Sequence, residues 1–186
     1  PNETRAHIYL GYLNLWYKWD FYAAEREFNY AAQIEPSNPG AMYTDVKVSM
    51  GKFNEAVKLA RQKMKAEPNN AGLKVYMGFT LYFNGQPGEA MLFLDSASRA
   101  EAPSNQMMEA NFYGDLGRAY LYLGKDKRVV EVLEKVVMTS SAKDTQVARH
   151  KGTLAIALIH LGKQERAIQL LNELKELLIE LNKDET

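Results

Sequence analysis

Four stretches decide the fold: GKFNEAVKLARQKMKAEPNN (51–70), NGQPGEAMLFLDSASRAEAP (84–103), LGKDKRVVEVLEKVV (123–137) and LGKQERAIQLLNELKELL (161–178). Each carries a glycine, a short polar stretch, and then apolar residues at helical spacing. Gly51, Gly85, Gly124 and Gly162 fall 34, 39 and 38 residues apart, so the chain repeats itself. An earlier copy, WDFYAAEREFNYAAQIEPSNP from Trp19, sets Ala24, Phe28, Ala31 and Pro36 in the same frame, which makes five units. Upstream of each glycine runs a second amphipathic stretch, cleanest in LKVYMGFTLYF from Leu73 and FYGDLGRAYLYLG from Phe112. Each unit is therefore expected to be a helical hairpin. The glycine should end the first helix in the left-handed conformation, and Pro36, Pro68 and Pro103 should stop the second helices. Gly78 and Gly117 lie inside first helices, where glycine costs roughly 1 kcal/mol relative to alanine. Such a glycine is expected where another helix comes close.

The pattern resembles the tetratricopeptide repeat, a 34-residue hairpin with apolar, glycine, aromatic, alanine and proline residues at fixed offsets. The fourth unit supplies Tyr113, Leu116, Gly117, Tyr120 and Gly124, with Val129 and Val136 in place of alanines. The third supplies Met77, Gly78, Leu81, Gly85, Ala90, Leu94, Ala97 and Pro103. The second supplies Tyr43, Gly51, Phe53, Ala56 and Pro68, with Thr44 where glycine is expected; the fifth supplies Leu154, Ala155, Gly162, Ala167, Leu171 and Leu174. The resemblance implies an all-α fold, a right-handed α-α superhelix of about five helical hairpins. It would form one domain over 1–186, with repeats at about 4–36, 37–70, 71–104, 110–141 and 148–181. Extra residues around APSNQMM (from Ala102) and TSSAKDT (from Thr139) read as longer loops or helix extensions.

The first unit is similar to a narrower group. Trp19, Asp20, Phe21, Ala23, Ala24, Glu25, Arg26, Glu27 and Phe28 resemble a segment of the repeat regions joined to bacterial one-component transcription regulators and to some adenylyl cyclases and kinases. This resemblance implies a regulatory or sensory module of a larger bacterial signalling protein. The chain starts at Pro1 without an initiator methionine, and a longer parent is expected. Trp19 and Phe28 read as core aromatics of the first hairpin.

Composition narrows the chemistry. Lys plus Arg and Asp plus Glu both number 23, so no net charge supplies the attraction that a nucleic acid or an anionic membrane would require. No direct nucleic-acid binding and no membrane association are expected. With no cysteine, thiolate metal sites, disulfides and cysteine nucleophiles are excluded. His7, His150 and His160 share no metal-ligand spacing, and each is expected to be solvated or capped. No enzyme and no cofactor is expected; a cytoplasmic setting is, with a periplasmic one as the alternative.

In repeats of this type the first helices line a concave face. The positions pointing into it are Gly72, Val75, Phe79, Tyr82 and Phe83 in the third unit, and Asn111, Gly114, Arg118, Leu121 and Tyr122 in the fourth. In the second unit they are Asn38, Ala41, Asp45, Val48 and Ser49. The partner-binding groove is thus expected at Asp45, Val75, Phe79, Tyr82, Phe83, Arg118 and Tyr122. Its aromatic groups suit a protein or peptide ligand with apolar anchors. A family subset grips a C-terminal carboxylate with paired lysine, asparagine and arginine; the matching positions here, Ala41 and Asp45, then Val75 and Phe79, lack them. A pocket for a small molecule is the alternative. The last helix, ELKELLIELNKDE, reads as a solvent-facing cap that could instead pack on a second copy through Leu177, Leu178 and Leu181, giving a homodimer.

Overall fold

The structure, a computed structural model, describes residues 2–36, 42–100, 106–139 and 145–183. Among them are ten helices and no strand: α1 (Asn2–Trp16), α2 (Phe21–Ile34), α3 (Tyr43–Ser49), α4 (Phe53–Ala66), α5 (Ala71–Phe83), α6 (Pro87–Ser98), α7 (Gln106–Tyr122), α8 (Asp126–Thr139), α9 (Thr145–His160) and α10 (Gln164–Lys183). They fall into two compact units, Pro1–Gln86 and Pro87–Thr186, with the division inside the third repeat. In the first unit α1 packs on α2, α2 on α3, α3 on α4 and α4 on α5. In the second, α6 packs on α7, α7 on α8, both α7 and α8 on α9, and α9 on α10.

The four repeat glycines do what their spacing predicts. Gly51, Gly85, Gly124 and Gly162 all adopt positive φ, between 64° and 74°. Each closes its first helix with the same pair of bonds. The glycine N–H donates to the carbonyl three residues back, as Gly124 does to Leu121 at 2.9 Å. The next N–H donates five back, as Lys125 does to Tyr120 at 2.9 Å. Two orphan carbonyls are satisfied and the chain reverses, which only a residue without Cβ does cheaply. The first hairpin breaks this rule. Its left-handed residue is Trp19, at φ 55°, and the Asp20 N–H donates six residues back to Asn14 at 2.9 Å. Asp20 then caps α2 by accepting from the Ala23 N–H at 2.8 Å.

The core follows the repeat frame. Ala24, Phe28, Ala31, Ala56, Ala90, Leu94, Ala97, Leu116, Tyr120, Val129, Leu133, Leu154 and Leu170 are all fully enclosed or nearly so. Interior glycines sit where helices converge. A Cβ on Gly117 would stand 2.7 Å from Leu133 Cγ of α8, and one on Gly11 would stand 2.6 Å from the Phe28 ring of α2. Gly78 is buried as well.

Pro36 and Pro68 follow the ends of α2 and α4 as expected, whereas Pro103 lies outside the described residues. The two insertions contribute at least in part to helices. Gln106–Met108 belong to α7 and Thr145 to α9, while 101–105 and 140–144 lie outside the described residues.

Candidate partner-binding surfaces

The seven predicted groove residues divide by burial. Phe83 and Tyr122 are exposed, at 40% and 48%. Asp45, Phe79, Tyr82 and Arg118 are half-buried. Val75 is 3% exposed and belongs to the core of the first unit, where α5 packs on α4, so the position that consensus counting turns outward is closed over. Gly114 is corrected likewise. It is buried against the His150 imidazole of α9, whose Cδ2 and Cε1 lie 2.6 and 2.7 Å from where a Cβ would stand. Asn38 and Ala41 lie outside the described residues.

Within the first unit, α5 forms a short aromatic strip. Tyr82 and Phe83 meet edge-to-face with centroids 5.3 Å apart, and Phe53 from the start of α4 stacks on Phe83 at 6.4 Å. Phe53 thereby fixes the Phe83 ring with one face supported. In the second unit Tyr122 closes α7 from the same register, and Arg118 is held by Asp115 one turn earlier. Asp45 is not an isolated polar handle. It acts on Lys63 of α4 and Tyr76 of α5: burial lowers the Lys63 ammonium pKa against the pull of Asp45, and burial plus the Asp45 charge drive the Tyr76 phenol pKa up.

The first hairpin holds the surface that sequence reasoning missed. Tyr9, Trp16, Tyr17, Trp19 and Tyr22 are all more than 60% exposed. Trp19 is therefore no core residue, whereas Phe28 is fully enclosed. A helical frame assigned Trp19 inward, but the residue stands in the turn, where side-chain direction no longer follows a 3.6 period. The run WYKWDFY was the available signal: five aromatics in seven residues across a hairpin turn outnumber the positions one core can take.

The first unit also holds an ion network centred on the buried Lys47 and Glu25. Lys47 Nζ of α3 donates to Glu25 Oε1 of α2 and to Glu55 Oε2 of α4, both at 2.6 Å, and Lys52 Nζ donates to both Glu25 oxygens at 2.7 Å. Lys47 also stands 5.2 Å over the Tyr43 ring. Burial pushes the Glu25 carboxyl pKa up, but the two lysines outweigh it and hold it below the ordinary range. Burial likewise opposes the Lys47 charge, and the carboxylates raise its pKa regardless. The network pins three helices in register.

The histidines are also placed. His7 contacts Glu27 at 2.7 Å, His160 contacts Asp126 at 3.0 Å, and His150 is buried. No group of three or more metal-ligating side chains occurs among the described residues. The depressions at the turns are open and charged, such as one of about 290 Å³ lined by Gly124–Arg128 and Leu161. No described helix is long and apolar enough to cross a membrane. Leu177, offered above for a second copy, is buried; Leu178 is exposed, and the Leu181 side chain lies outside the described residues.

No protein-family model matches the chain, and no curated protein matches it. Solved structures do. The tetratricopeptide-like repeats of a putative kinesin light chain from Podosopora anserina superpose with a TM-score of 0.75 at 18% identity, covering 98% of this chain and 99% of that one. A thermophilic tetratricopeptide-repeat protein of Thermus thermophilus gives 0.71 at 16% identity, covering 94% and 91%. MamA from Desulfovibrio magneticus gives 0.66 at 18% identity, covering 97% of each chain. The likeness is one of fold. The chain has the all-α hairpin repeat of the tetratricopeptide type.

Proposed function

We propose that this chain is a protein-interaction scaffold whose first helices each offer an aromatic end to an apolar anchor of a peptide segment. One observation carries the reading: α1, α5 and α7 each end on an exposed aromatic, Trp16, Phe83 and Tyr122, although those helices otherwise differ in sequence. Trp16 stacks on Tyr12 and Phe83 on Phe53, so each ring is held in place while 40–61% of its surface stays open to a partner. Aromatic side chains of this kind dominate binding energetics when a partner covers them. On α5, Phe79 and Tyr82 extend the strip, with Asp45 as its polar neighbour; on α7, Arg118 does the same for Tyr122. Val75 supports the α5 strip from the core. The reading is non-enzymatic.

The test uses peptides selected from a random library on the wild-type chain. Trp16→Ala, Phe83→Ala and Tyr122→Ala are each titrated with a selected peptide and melted in parallel. A loss of tenfold or more in affinity for at least one variant, corresponding to about 1.4 kcal/mol, with Tm unchanged, is expected. Unchanged affinity in all three, or a fall in Tm that accounts for the loss, overturns the assignment.

The resemblance of Trp19 to Phe28 supports a regulatory setting: an interaction or sensory module of a bacterial transcription regulator or signalling enzyme. The exposure of Trp19 and Tyr22 in that segment favours a contact role for it. The sequence of the full gene tests this. An adjoining DNA-binding or cyclase domain agrees with it, and a full-length product with no output domain contradicts it.

A further inference from the structure

The left-handed residue of each hairpin, and the residue three after it, face water in every repeat, those in mid-chain included. Gly51, Gly85, Gly124 and Gly162 are exposed, and so are Asn54, Gly88, Lys127 and Glu165. In the first hairpin the same two places hold Trp19 and Tyr22, 73% and 71% exposed. Their exposure therefore comes with the position in the hairpin and not with the place of the hairpin in the chain. The residue type is what differs: glycine or a polar side chain in four repeats, a large ring in the first. The backbone opposes the choice as well, because Trp19 holds φ 55°, a conformation that a residue with Cβ resists and that is kept mainly where function requires it. The turn is also one residue longer. Asp20 N–H reaches back six residues to Asn14, where Lys125 N–H reaches back five to Tyr120. The added length carries Tyr17, 80% exposed, and Lys18, also exposed.

A ring in a groove wall keeps one face covered, as Phe83 does on Phe53 at 40% exposure. Tyr17, Trp19 and Tyr22 keep less than a third of their surface covered, so they project from the turn. The uncompensated charges beside them have one sign. Of the acids in 17–27, Asp20 is turned into the start of α2 as its cap, Glu25 is held by Lys47 and Lys52, and Glu27 meets His7. The exposed Lys18 and Arg26 remain, and Arg26 stands one helical turn beyond Tyr22 on the same side of α2.

We infer that the α1–α2 turn docks on an anionic lipid bilayer, with Tyr17, Trp19 and Tyr22 in the headgroup interface and Lys18 and Arg26 against the headgroups. Trp and Tyr, apolar bodies with one polar atom, concentrate at that interface, and no aliphatic residue occurs in 17–22. A bilayer accepts separate projecting rings, whereas peptide recognition by aromatics uses a groove. The zero net charge of the whole chain does not oppose this docking, because screening confines the attraction to charges within about 10 Å of the surface. Binding is weak and reversible, below the roughly 10⁴ M⁻¹ of a single myristoyl chain.

Trp16 and Trp19 are the only tryptophans, so their emission reports on this turn. The Trp16→Phe chain, which leaves Trp19 alone, is titrated with vesicles of phosphatidylcholine containing about a third phosphatidylserine, and with pure phosphatidylcholine vesicles. Emission should move to the blue and be quenched by bromine-labelled acyl chains, with the anionic vesicles more effective by about tenfold or more. Co-sedimentation with the same vesicles compares variants of the wild-type chain. Trp19→Gly and Tyr22→Asn install residues that the chain itself uses at these places in other repeats, and circular dichroism checks that both stay folded. Each should weaken binding by about tenfold or more, as losing one large buried side chain does. Lys18→Gln combined with Arg26→Gln should remove the preference for anionic vesicles. Leu92→Ala, which trims a 70%-exposed apolar residue of α6, should change nothing. Emission unmoved by either vesicle, equal binding to the two, wild-type binding by both turn variants, or an equal loss in Leu92→Ala each overturns the inference.

Discussion

The contact between Gly114 and His150 gives the most demanding test of the packing. Replacing Gly114 by alanine adds one methyl group inside α7. Helix propensity favours the change by about 1 kcal/mol. The site opposes it, because the new Cβ would stand 2.6 and 2.7 Å from two carbons of the His150 ring, well inside any real carbon contact. His150 is only 3% exposed and cannot move its ring into solvent, so α7 and α9 must separate or the ring must leave its rotamer. Overpacking of this kind costs about 1–3 kcal/mol, and since an imidazole is stiff the upper half of that range applies. The net expectation is a loss of about 1–2 kcal/mol, or a Tm lower by several degrees at about 2–4 °C per kcal/mol for a chain of this length. The assay is thermal unfolding of wild type, Gly114→Ala, His150→Ala and the double variant. His150→Ala alone should destabilise by opening a cavity. In that background Gly114→Ala should cost nothing or stabilise, giving a coupling of at least about 1 kcal/mol. If Gly114→Ala costs the same in both backgrounds, or raises the Tm of the wild type, the close approach of α7 to α9 described above is wrong.

Three further outcomes follow from the first unit. Trp19→Gly removes a left-handed conformation that costs a residue with Cβ about 1–2 kcal/mol and exchanges an exposed ring for the glycine used at the other four turns; Tm should rise by a few degrees, and a fall would show that the ring is held by contacts. Glu25→Gln leaves Lys47 and Lys52 short of a carboxylate in a buried network and should cost about 3 kcal/mol at neutral pH. Because the folded Glu25 pKa lies below its unfolded value, its contribution is complete above the ordinary glutamate range and is lost as pH falls through the folded pKa. Urea titrations at stepped pH should therefore show a steeper acid loss in wild type than in Glu25→Gln, and parallel curves would contradict the pairing. Lys47→Met, which removes the raised-pKa ammonium, should flatten the loss of stability that wild type shows as pH climbs above the ordinary lysine range.

Much of the fold was legible because its signals are local. A glycine two residues beyond an amphipathic stretch has one use, the left-handed cap, and all four repeat glycines are found in it. Alanines two helical turns apart, such as Ala24 with Ala31 or Ala90 with Ala97, mark where two helices must touch, and these are enclosed. The surfaces were harder to read. Val75 and Gly114 were assigned outward by counting along one helix, but which residues are covered depends on neighbours, α4 for Val75 and α9 for Gly114, that single-helix periodicity does not encode. Trp19 was assigned inward because its segment matches a helical frame, yet it occupies the turn. His150 reads as polar, and its burial depends on a glycine thirty-six positions earlier in sequence. Phe83 and Tyr122 are exposed, as expected of aromatics at the last position of a first helix.

The central claim is that the exposed aromatic ends of the first helices receive the partner. Chemical-shift mapping of the isotopically labelled chain with a library-selected peptide tests it directly. The account predicts perturbations clustered at 79–83 and 118–122 and around Trp16, with the outward residues of α4 and α8 unmoved. Perturbations confined to those second helices, with the aromatic ends silent, would contradict it.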